Sequence, residues 1–282
     1  MNQDAAIKPN FIRHGLFRLR QSIGRRLEAM KASENPVLRV TGMFMYALWQ
    51  LGGDSLRWLV SSEFRSIRQL ATNSRTDLHQ VANFTKMDRY PLLFNACRMY
   101  HINKPALRLL SFGCSTGEEV LTLGQYFPQA QIVGVDINPW NIKTAQQRCD
   151  QPRMSIYHTD DPAWQMQDGY DAIFCLAVLQ RTENRTQNPQ SSGEIYPFSR
   201  FDHQLTQLDS YLKQEGLMTL DEADYRFEDA TVAEHYQPLA WDKPVLKNRD
   251  MFDASNQKLS EQQLIHRIYI KKGEMKKGPL SC

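Results

Sequence analysis

The chain has 282 residues, of which 41% are hydrophobic and 23% charged, and its formal net charge is +3. This composition is globular, which excludes disordered and fibrous proteins. The longest uncharged runs, Val40–Gly53 and Val120–Val135, are shorter than the roughly 18–20 apolar residues of a membrane-spanning helix. Five widely spaced cysteines without a Cys-x-x-Cys pair predict neither a disulfide framework nor a metal site. The polar, acidic start lacks the features of a secretory signal, which predicts a cytoplasmic protein.

Charge is unevenly distributed along the chain. Residues 1–80 carry a net charge of +6 and the last twelve residues +3, so residues 81–270 carry −6. Within the basic segment, one apolar stripe at helical spacing is formed by Ile12, Leu16, Leu19, Ile23, Leu27 and Met30. Arginines lie largely off this stripe. Two interpretations remain open: a helix on an anionic membrane or nucleic acid, or a helix docked on its own domain with a solvated basic face. A helix that lies on an anionic membrane would make the protein membrane-associated.

The rest of the first hundred residues also has helical character. Val40–Trp49 is dense in large apolar side chains and predicts a helix ending at Gly52-Gly53, either buried or facing a partner. A third apolar pattern runs from Leu56 to Leu70, and Pro91 opens a short helix towards Tyr100. No strand-like alternation precedes residue 106, so this part of the chain is predicted to form a helical cap.

After Pro105 short apolar runs alternate with helical patterns. The predicted strands are Leu107–Phe112, Gln131–Asp136, Met154–His158, Ala172–Leu176, Leu217–Leu220 and Leu264–Ile270. The predicted helices are Ser115–Phe127, Pro139–Arg148 and Phe201–Leu212. Such alternation indicates an α/β fold with a parallel sheet covered on both faces.

The segment between the first predicted strand and helix carries the main functional signal. Ser111 to Glu119 reads Ser-Phe-Gly-Cys-Ser-Thr-Gly-Glu-Glu, in which the glycines allow a sharp turn and close approach of a ligand. The next strand ends in Asp136, 23 residues after Gly113. A carboxylate at that position accepts both ribose hydroxyls of a nucleoside ligand. The alternative interpretation is a pair of turn glycines and a helix cap.

Together, these residues resemble the class I S-adenosylmethionine-dependent methyltransferases. The string Gly-Cys-Ser-Thr-Gly-Glu-Glu is similar to the nucleotide loop of the CheR-type chemoreceptor methyltransferases, and Tyr170–Leu179 is similar to their fourth-strand segment. The resemblance implies a Rossmann-like seven-stranded methyltransferase sheet with an N-terminal helical extension. It divides the chain into a basic helical cap (residues 1–83), a methyltransferase domain (84–273) and a basic tail (274–282).

The resemblance also implies roles for individual residues in binding S-adenosylmethionine. The loop positions Gly113, Cys114, Ser115 and Gly117 would lie against its methionine part, with Glu118 near its amino group. Asp136 would hold the ribose, Ile137 would flank the adenine, and Asp160 or Asp161 would accept from the adenine amino group. Leu176 and Ala177 would supply backbone contacts where methyl donor and acceptor meet.

Departures from the family bear on the acceptor. CheR-type enzymes have an Arg-Asn pair where this chain has Leu176-Ala177, which argues against receptor glutamate as the acceptor. The Asn-Pro-Pro-Tyr signature of amine and amide methylases is missing, and the acidic body disfavours nucleic acid. A small-molecule, sugar, lipid or natural-product acceptor is therefore predicted, methylated by in-line displacement. Arg181, Tyr196 and His235 are candidate catalytic residues.

Three other functions remain open. One is a CheR-like protein carboxyl methyltransferase, and another is a catalytically silent module that binds S-adenosylmethionine. The third rests on Gly113 to Gly117, which also satisfies the Gly-x-Ser-x-Gly pattern of α/β-hydrolases with Ser115 as nucleophile. His235 and Asp221 would complete its triad, but no strands are predicted before the elbow, and Asp136 would have no role.

Overall fold

A computed structural model describes residues 23, 25–72, 77–104 and 106–273, with the backbone only at residues 50–54 and 56. The chain divides into two compact units, with the boundary between Arg65 and Ser66. Half of the predicted apolar stripe (Ile12, Leu16 and Leu19) and the predicted basic tail (274–282) lie outside the described residues. Among the described residues, no helix is long and apolar enough to cross a bilayer.

The first unit contains helix α1, Pro36–Val60. Asn35 begins it, because its side-chain oxygen accepts the Val37 amide at 2.9 Å. The helix continues through Gly52-Gly53, so the predicted end there is wrong. Two glycines cost a helix only about 1 kcal/mol each, which a helix of 25 residues tolerates. The predicted break instead falls at Ser61, which caps the following helix through the Phe64 amide at 3.2 Å.

Of the two interpretations of Val40–Trp49, the structure contradicts the buried helix. The side chains of Phe44 and Val40 are 65% and 64% exposed, and Met43, Met45 and Leu48 are exposed as well. A run of large apolar residues is found both on buried helices and on exposed helices that bind a partner, so the sequence pattern does not distinguish the two.

Helices α2 (Ser62–Thr72) and α3 (Pro91–Tyr100) precede the sheet. The sheet then alternates with α4 (Glu118–Tyr126), α5 (Pro139–Arg148), α6 (Thr182–Thr186) and α7 (Phe198–Ser210). Its strands are β1 (Arg108–Phe112), β2 (Gln131–Asp136), β3 (Met154–His158), β4 (Tyr170–Leu176), β5 (Leu212–Asp221), β6 (Tyr236–Pro238) and β9 (Ile268–Lys271). A separate pair consists of β7 (Val245–Leu246) and β8 (Leu264–Ile265). The α/β class and every strand predicted before residue 221 are confirmed.

The seven-stranded sheet has the order β3-β2-β1-β4-β5-β9-β6. Strands β1 to β5 pair in parallel, whereas β9 runs antiparallel to β5 and β6. This arrangement confirms the predicted Rossmann-like seven-stranded sheet. Successive residues such as Leu109 and Leu110 are fully buried in cores on opposite faces. The order reverses between β1 and β4, so a crevice opens at their carboxyl ends.

The predicted strand Leu264–Ile270 is interrupted. The carboxylate of Asp242 accepts the backbone amides of Arg267 at 2.9 Å and Ile268 at 3.2 Å. These two amides therefore donate to a side chain and not to a neighbouring strand. The backbone hydrogen bonding of the sheet is interrupted there, and the segment splits into β8 and β9.

Candidate functional site

The loop after β1 turns through three residues with positive φ: Gly113 (77°), Ser115 (50°) and Gly117 (94°). The amides of Gly113 and Cys114 both donate to the Val135 carbonyl, at 2.8 and 2.9 Å, which ties the loop to β2. A Cβ on Gly113 would lie 2.3 Å from Val178 Cγ2. Glycine is therefore required at position 113 for two reasons: its backbone is left-handed, and the Val178 side chain occupies the space that a Cβ would need.

Asp136 fixes the shape of this loop. Its buried carboxylate accepts the Ser115 amide at 2.9 Å through Oδ2, and the Asn138 amide and Asn141 Nδ2 at 2.8 and 3.0 Å through Oδ1. Burial raises the pKa of Asp136, and the hydrogen bonds to Asn138, Asn141 and Ser115 oppose that shift. Each carboxylate oxygen accepts about two hydrogen bonds, so Oδ2 retains capacity for a ligand hydroxyl.

Residues 77–90, here called the strap, connect α2 to α3 and cover the crevice. At its middle, Ser115 Oγ donates to the Asn83 carbonyl at 3.2 Å, and Asn141 Nδ2 donates to Asn83 Oδ1 at 3.0 Å. Towards its end, the Asp88 amide donates to Thr122 Oγ1 at 3.0 Å. The strap is thus bound to the glycine loop, α5 and α4.

The start of the strap is held by a buried histidine. His79 Nδ1 lies 2.6 Å from the Tyr196 hydroxyl, and Nε2 lies 3.0 Å from Gln204 Oε1. The amide oxygen accepts, so Nε2 carries the proton and the Tyr196 hydroxyl donates to Nδ1. Burial lowers the pKa of His79 to about 4, which keeps the ring neutral. Beside it, Arg181 Nη2 donates to the Leu78 carbonyl at 2.7 Å.

A cavity lies between the strap and the carboxyl ends of β1, β2 and β4, with about 910 Å³ of empty volume when the open solvent at its mouth is included. Its lining includes Gly113, Cys114, Ser115, Glu119, Asp136, Ile137, Thr159, Leu176 and Ala177, together with most of the strap. Five lining residues have a buried polar atom without a hydrogen-bond partner: Asn83 Nδ2, Tyr90 OH, Asn138 Nδ2, Asn141 Oδ1 and Thr159 Oγ1. Unpaired buried polar atoms are costly, so this concentration indicates a polar ligand.

Two adjacent glutamates at the start of α4 have different surroundings. Glu119 lines the cavity and accepts the Ser111 hydroxyl at 2.7 Å. Burial raises the pKa of Glu119 to about 7, although Ser111 and Arg89 act in the opposite direction. Glu118, the residue predicted from the resemblance, is outside the lining and contacts Arg148 and Thr116. The sequence prediction did not include Glu119, and the role predicted for Glu118 stays a prediction.

The end of β4 forms the opposite wall. Ala177 has a φ of 61°, and its amide donates to the Asp221 carbonyl at 2.9 Å. Gln180 Nε2 in turn donates to the Ala177 carbonyl at 2.8 Å. The Gln180 side-chain oxygen accepts from Arg185 and, at 3.1 Å, from Arg249. The backbone at Ala177 is therefore fixed from both sides.

Behind that wall lies a partly buried network of ion pairs. Lys247 pairs with Asp221 and, at 3.1 Å, with Glu222. Arg249 pairs with Glu222 at 3.0 Å and with Asp224. These pairs neutralise the carboxylates at the end of β5 and directly after it.

Other predicted residues lie elsewhere. Asp160 and Asp161 are exposed, and Asp161 caps a short 3-10 helix through the Ala163 amide at 2.9 Å. Thr159, one residue earlier, reaches the cavity instead. His235 is exposed beside Glu234 and outside the cavity lining. Tyr196 is fully buried and contacts His79. The roles assigned to these residues, and to Arg181, remain predictions.

The structure does not assemble the hydrolase alternative. Ser115 contacts Asn83 and Asp136, while Asp221 is paired with Lys247. His235 has no described contact with Ser115 or Asp221. Among the described residues, no group of histidine, cysteine and carboxylate side chains could hold a metal ion.

Part of the chain is similar to known methyltransferases. Residues 110–191 match the family model described as a methyltransferase domain. Over 101 residues the chain is 32% identical to malonyl-[acyl-carrier protein] O-methyltransferase of Bacillus anthracis, covering 36% of this chain and 37% of that protein. Over 89 residues it is 28% identical to trans-aconitate 2-methyltransferase of Methylobacterium radiotolerans, covering 31% and 34%. The chain thus matches about a third of the length of these relatives.

Among solved structures, the plantazolicin methyltransferase BpumL in complex with a pentazolic desmethylPZN analog and SAH matches with a TM-score of 0.35 and 16% identity. The match covers 58% of this chain and 55% of that one.

Proposed function

We propose that this chain is a class I S-adenosylmethionine-dependent methyltransferase, which binds S-adenosylmethionine and transfers the methyl group to a small-molecule acceptor. The observation that carries the proposal is the cavity, where a glycine loop, a buried strand-end carboxylate and five unpartnered polar atoms face one space. The relatives named above support it, since malonyl and trans-aconitate groups are small acceptors. The CheR-like and silent-module alternatives remain predictions.

The lining fits both ends of the cofactor. Asp136 holds the ribose through the free capacity of Oδ2, beside the unpaired atoms of Asn141 and Asn83. Thr159 and Asn138 face the adenine side, where Ile137 supplies apolar contact. At the other end, Glu119 pairs with the methionine ammonium and Arg89 with its carboxylate. Sequence resemblance assigned the ammonium to Glu118, whose side chain lies outside the lining.

Bound S-adenosylmethionine supplies an electrophilic methyl group on a sulfonium. The chain's own contribution is positioning, since in-line transfer needs the acceptor at near-attack distance and little covalent work by the protein. The rigid backbone at Ala177, held by Gln180 and the Asp221 carbonyl, forms the wall at the transfer point. The strap encloses the acceptor and excludes water.

Calorimetry with S-adenosylhomocysteine tests cofactor binding, and transfer of tritium from methyl-labelled S-adenosylmethionine tests turnover. Micromolar binding together with labelled product is expected. Absence of binding by a folded protein would refute the proposed function. Binding with no transfer to any acceptor in a small-molecule extract would favour the silent module, and labelling of protein alone would favour a protein acceptor.

We also propose a peripheral contact of the first unit with an anionic membrane. The exposed apolar side chains of α1 include Phe44, Leu59 and Val60, at 65%, 68% and 75% exposure, and residues 1–80 carry a net charge of +6. Co-sedimentation with phosphatidylglycerol vesicles, reduced in Phe44→Ser and absent with phosphatidylcholine vesicles, is expected. Equal sedimentation with both lipids, or none, would contradict the proposal. A nucleic-acid partner is not expected, because residues 81–270 carry −6.

A further inference from the structure

We propose that the nucleoside half of S-adenosylmethionine closes the strap over the cavity, and that Asn83 couples nucleoside binding to this closure. The inference rests on the proposed methyltransferase function and specifies which half of the cofactor acts on the strap. Thr85 and Tyr90 of the strap line the cavity together with Asn83, so a closed strap completes the wall of the site. The observation that carries the inference is Asn83 Nδ2, a buried donor with no hydrogen-bond partner among the described residues.

The middle of the strap depends on Asn83 for its attachment. The start of the strap is held by His79, and near its end the Asp88 amide donates to Thr122 Oγ1 at 3.0 Å. Between positions 81 and 86, Asn83 is the only residue with a hydrogen bond to another part of the described chain. The two ends are thus fixed by the protein itself, whereas the position of the middle follows from the contacts of Asn83.

The hydrogen bonds around Asn83 determine which of its groups is left for a ligand. Asp136, as a carboxylate, can only accept, so Asn141 directs its Nδ2 to Asp136 Oδ1 at 3.0 Å. The second hydrogen of Asn141 Nδ2 goes to Asn83 Oδ1 at 3.0 Å, which fixes the orientation of the Asn83 amide. The Asn83 carbonyl accepts from Ser115 Oγ at 3.2 Å. The Nδ2 group of Asn83 is therefore the part of this residue that remains for a ligand.

A nucleoside supplies the matching groups. A ribose hydroxyl has one hydrogen and two lone pairs, so it can donate to Asp136 Oδ2 and accept from Asn83 Nδ2 at the same time. Two further unpartnered atoms lie at the start of α5: Asn138 Nδ2, which is a donor, and Asn141 Oδ1, which is an acceptor. A polar ligand that fills this end of the cavity thus gains a hydrogen bond to the strap and holds its middle in place.

The methionine half of the cofactor meets a different part of the molecule. Glu119 lies on α4, and Arg89 lies at the end of the strap that Asp88 already fixes. Arg89 donates to the Phe84 carbonyl at 3.3 Å within the strap itself. Pairing of Arg89 with the cofactor carboxylate would replace this contact and add none to the middle of the strap. The amino-acid half is therefore not expected to close it.

Trypsin cleavage after Lys86 measures strap closure, because Lys86 is exposed and a protease cuts backbone that opens away from the protein. The full chain is digested alone and with saturating S-adenosylhomocysteine, 5′-methylthioadenosine or methionine, and the cut is quantified by mass spectrometry. We expect the first two ligands to slow cleavage on the order of tenfold and methionine to leave it unchanged. Cleavage after Lys272, which is exposed and directly follows β9, is the internal control and should not respond.

Variants at position 83 isolate the donor. Asn83→Asp keeps the oxygen that Asn141 contacts and removes only Nδ2, whereas Asn83→Ala removes both groups. In both variants we expect S-adenosylhomocysteine binding to weaken on the order of tenfold, and saturating ligand to give no protection at Lys86. Asn95→Ala is the control, because Asn95 is exposed on α3 and its side chain contacts Arg98. This variant should bind and be protected like wild type.

Four results would each overturn the coupling. They are equal protection by methionine and 5′-methylthioadenosine, no binding of 5′-methylthioadenosine, unchanged cleavage at Lys86 with S-adenosylhomocysteine bound, and full protection in Asn83→Asp. Failure of the folded wild-type chain to bind S-adenosylhomocysteine would instead refute the proposed function, so the two failures are distinguishable.

Discussion

Asp136 Oδ2 accepts the backbone amide of Ser115 at 2.9 Å, so the carboxylate that ends β2 also fixes the left-handed residue of the glycine loop. The sequence predicted Asp136 as a ligand for ribose. In the structure it has a second task, because three donors of the site converge on its two oxygens. Its removal should therefore affect binding and folding together.

Asp136→Ala is expected to weaken S-adenosylhomocysteine binding roughly 30–150-fold, equivalent to about 2–3 kcal/mol, and to lower the melting temperature. Both effects follow from leaving buried donors and the ribose hydroxyls unpaired. Calorimetry measures the first and thermal denaturation the second. Asp168→Ala is the control, because the Asp168 side chain is 88% exposed. A folded Asp136→Ala protein that binds within threefold of wild type would refute the assigned role.

Gly113→Ala should disrupt the loop through two separable effects. The new methyl group would meet Val178 at 2.3 Å, and a φ of 77° costs a non-glycine residue about 1–2 kcal/mol. Adding Val178→Ala should relieve the clash but not the backbone strain. A double-mutant cycle on the free energy of unfolding is therefore expected to show partial rescue, with about 1–2 kcal/mol of destabilisation remaining. Full additivity would show that the two residues do not meet.

Cofactor affinity should depend on pH through Glu119. Burial raises the pKa of Glu119 to about 7 in the free protein, and a bound ammonium would lower it again. Binding therefore releases a proton below about pH 7, and affinity should fall by up to about tenfold per pH unit as the pH drops below that value. Above pH 7 it should be constant.

The neighbouring glutamate provides the control for this measurement. Glu119→Gln should flatten the pH profile of S-adenosylhomocysteine binding, whereas Glu118→Gln should leave it intact, since Glu118 contacts Arg148 outside the cavity. The reverse result would support the role that sequence resemblance assigned to Glu118.

The sequence could predict the parts of the site that depend on local pattern. Glycines between a strand and a helix, and an aspartate at the next strand end, are set by backbone geometry over a few residues. The choice between Glu118 and Glu119 is different, because adjacent positions on a helix point about 100° apart and the helix orientation comes from packing.

The strap could not be predicted, because its contacts join distant parts of the chain. Asn83 meets Asn141, 58 residues later, and His79 meets Gln204, 125 residues later. Residues 77–90 have neither helical nor alternating periodicity, so the local pattern does not indicate their position across the crevice. The choice between a buried and an exposed Val40–Trp49 could not be made from the sequence either, because the density of apolar residues is the same in both cases.

The buried histidine of the strap should make stability pH-dependent. Burial lowers the pKa of His79 from 6.5 to about 4, so the unfolded chain binds a proton that the folded protein excludes between those values. The stabilisation is complete above about pH 6.5 and is lost as the pH falls towards 4, by up to about 3 kcal/mol. His79→Gln should reduce the slope of unfolding free energy against pH over this range. His203→Gln, which replaces an exposed histidine on α7, should not.

The hydrogen bond between Tyr196 and His79 allows a structural role of Tyr196 to be distinguished from a catalytic one. Its hydroxyl donates to His79 in the core, so Tyr196→Phe should destabilise the protein by about 1–2 kcal/mol while methyl transfer at saturating cofactor stays within a fewfold of wild type. Denaturant unfolding and a labelled-methyl assay measure the two quantities. The pH profile of transfer should keep its shape in this variant. A loss of activity of a hundredfold or more, with folding intact and one limb of that profile missing, would instead identify Tyr196 as the general base that its position in the sequence suggested.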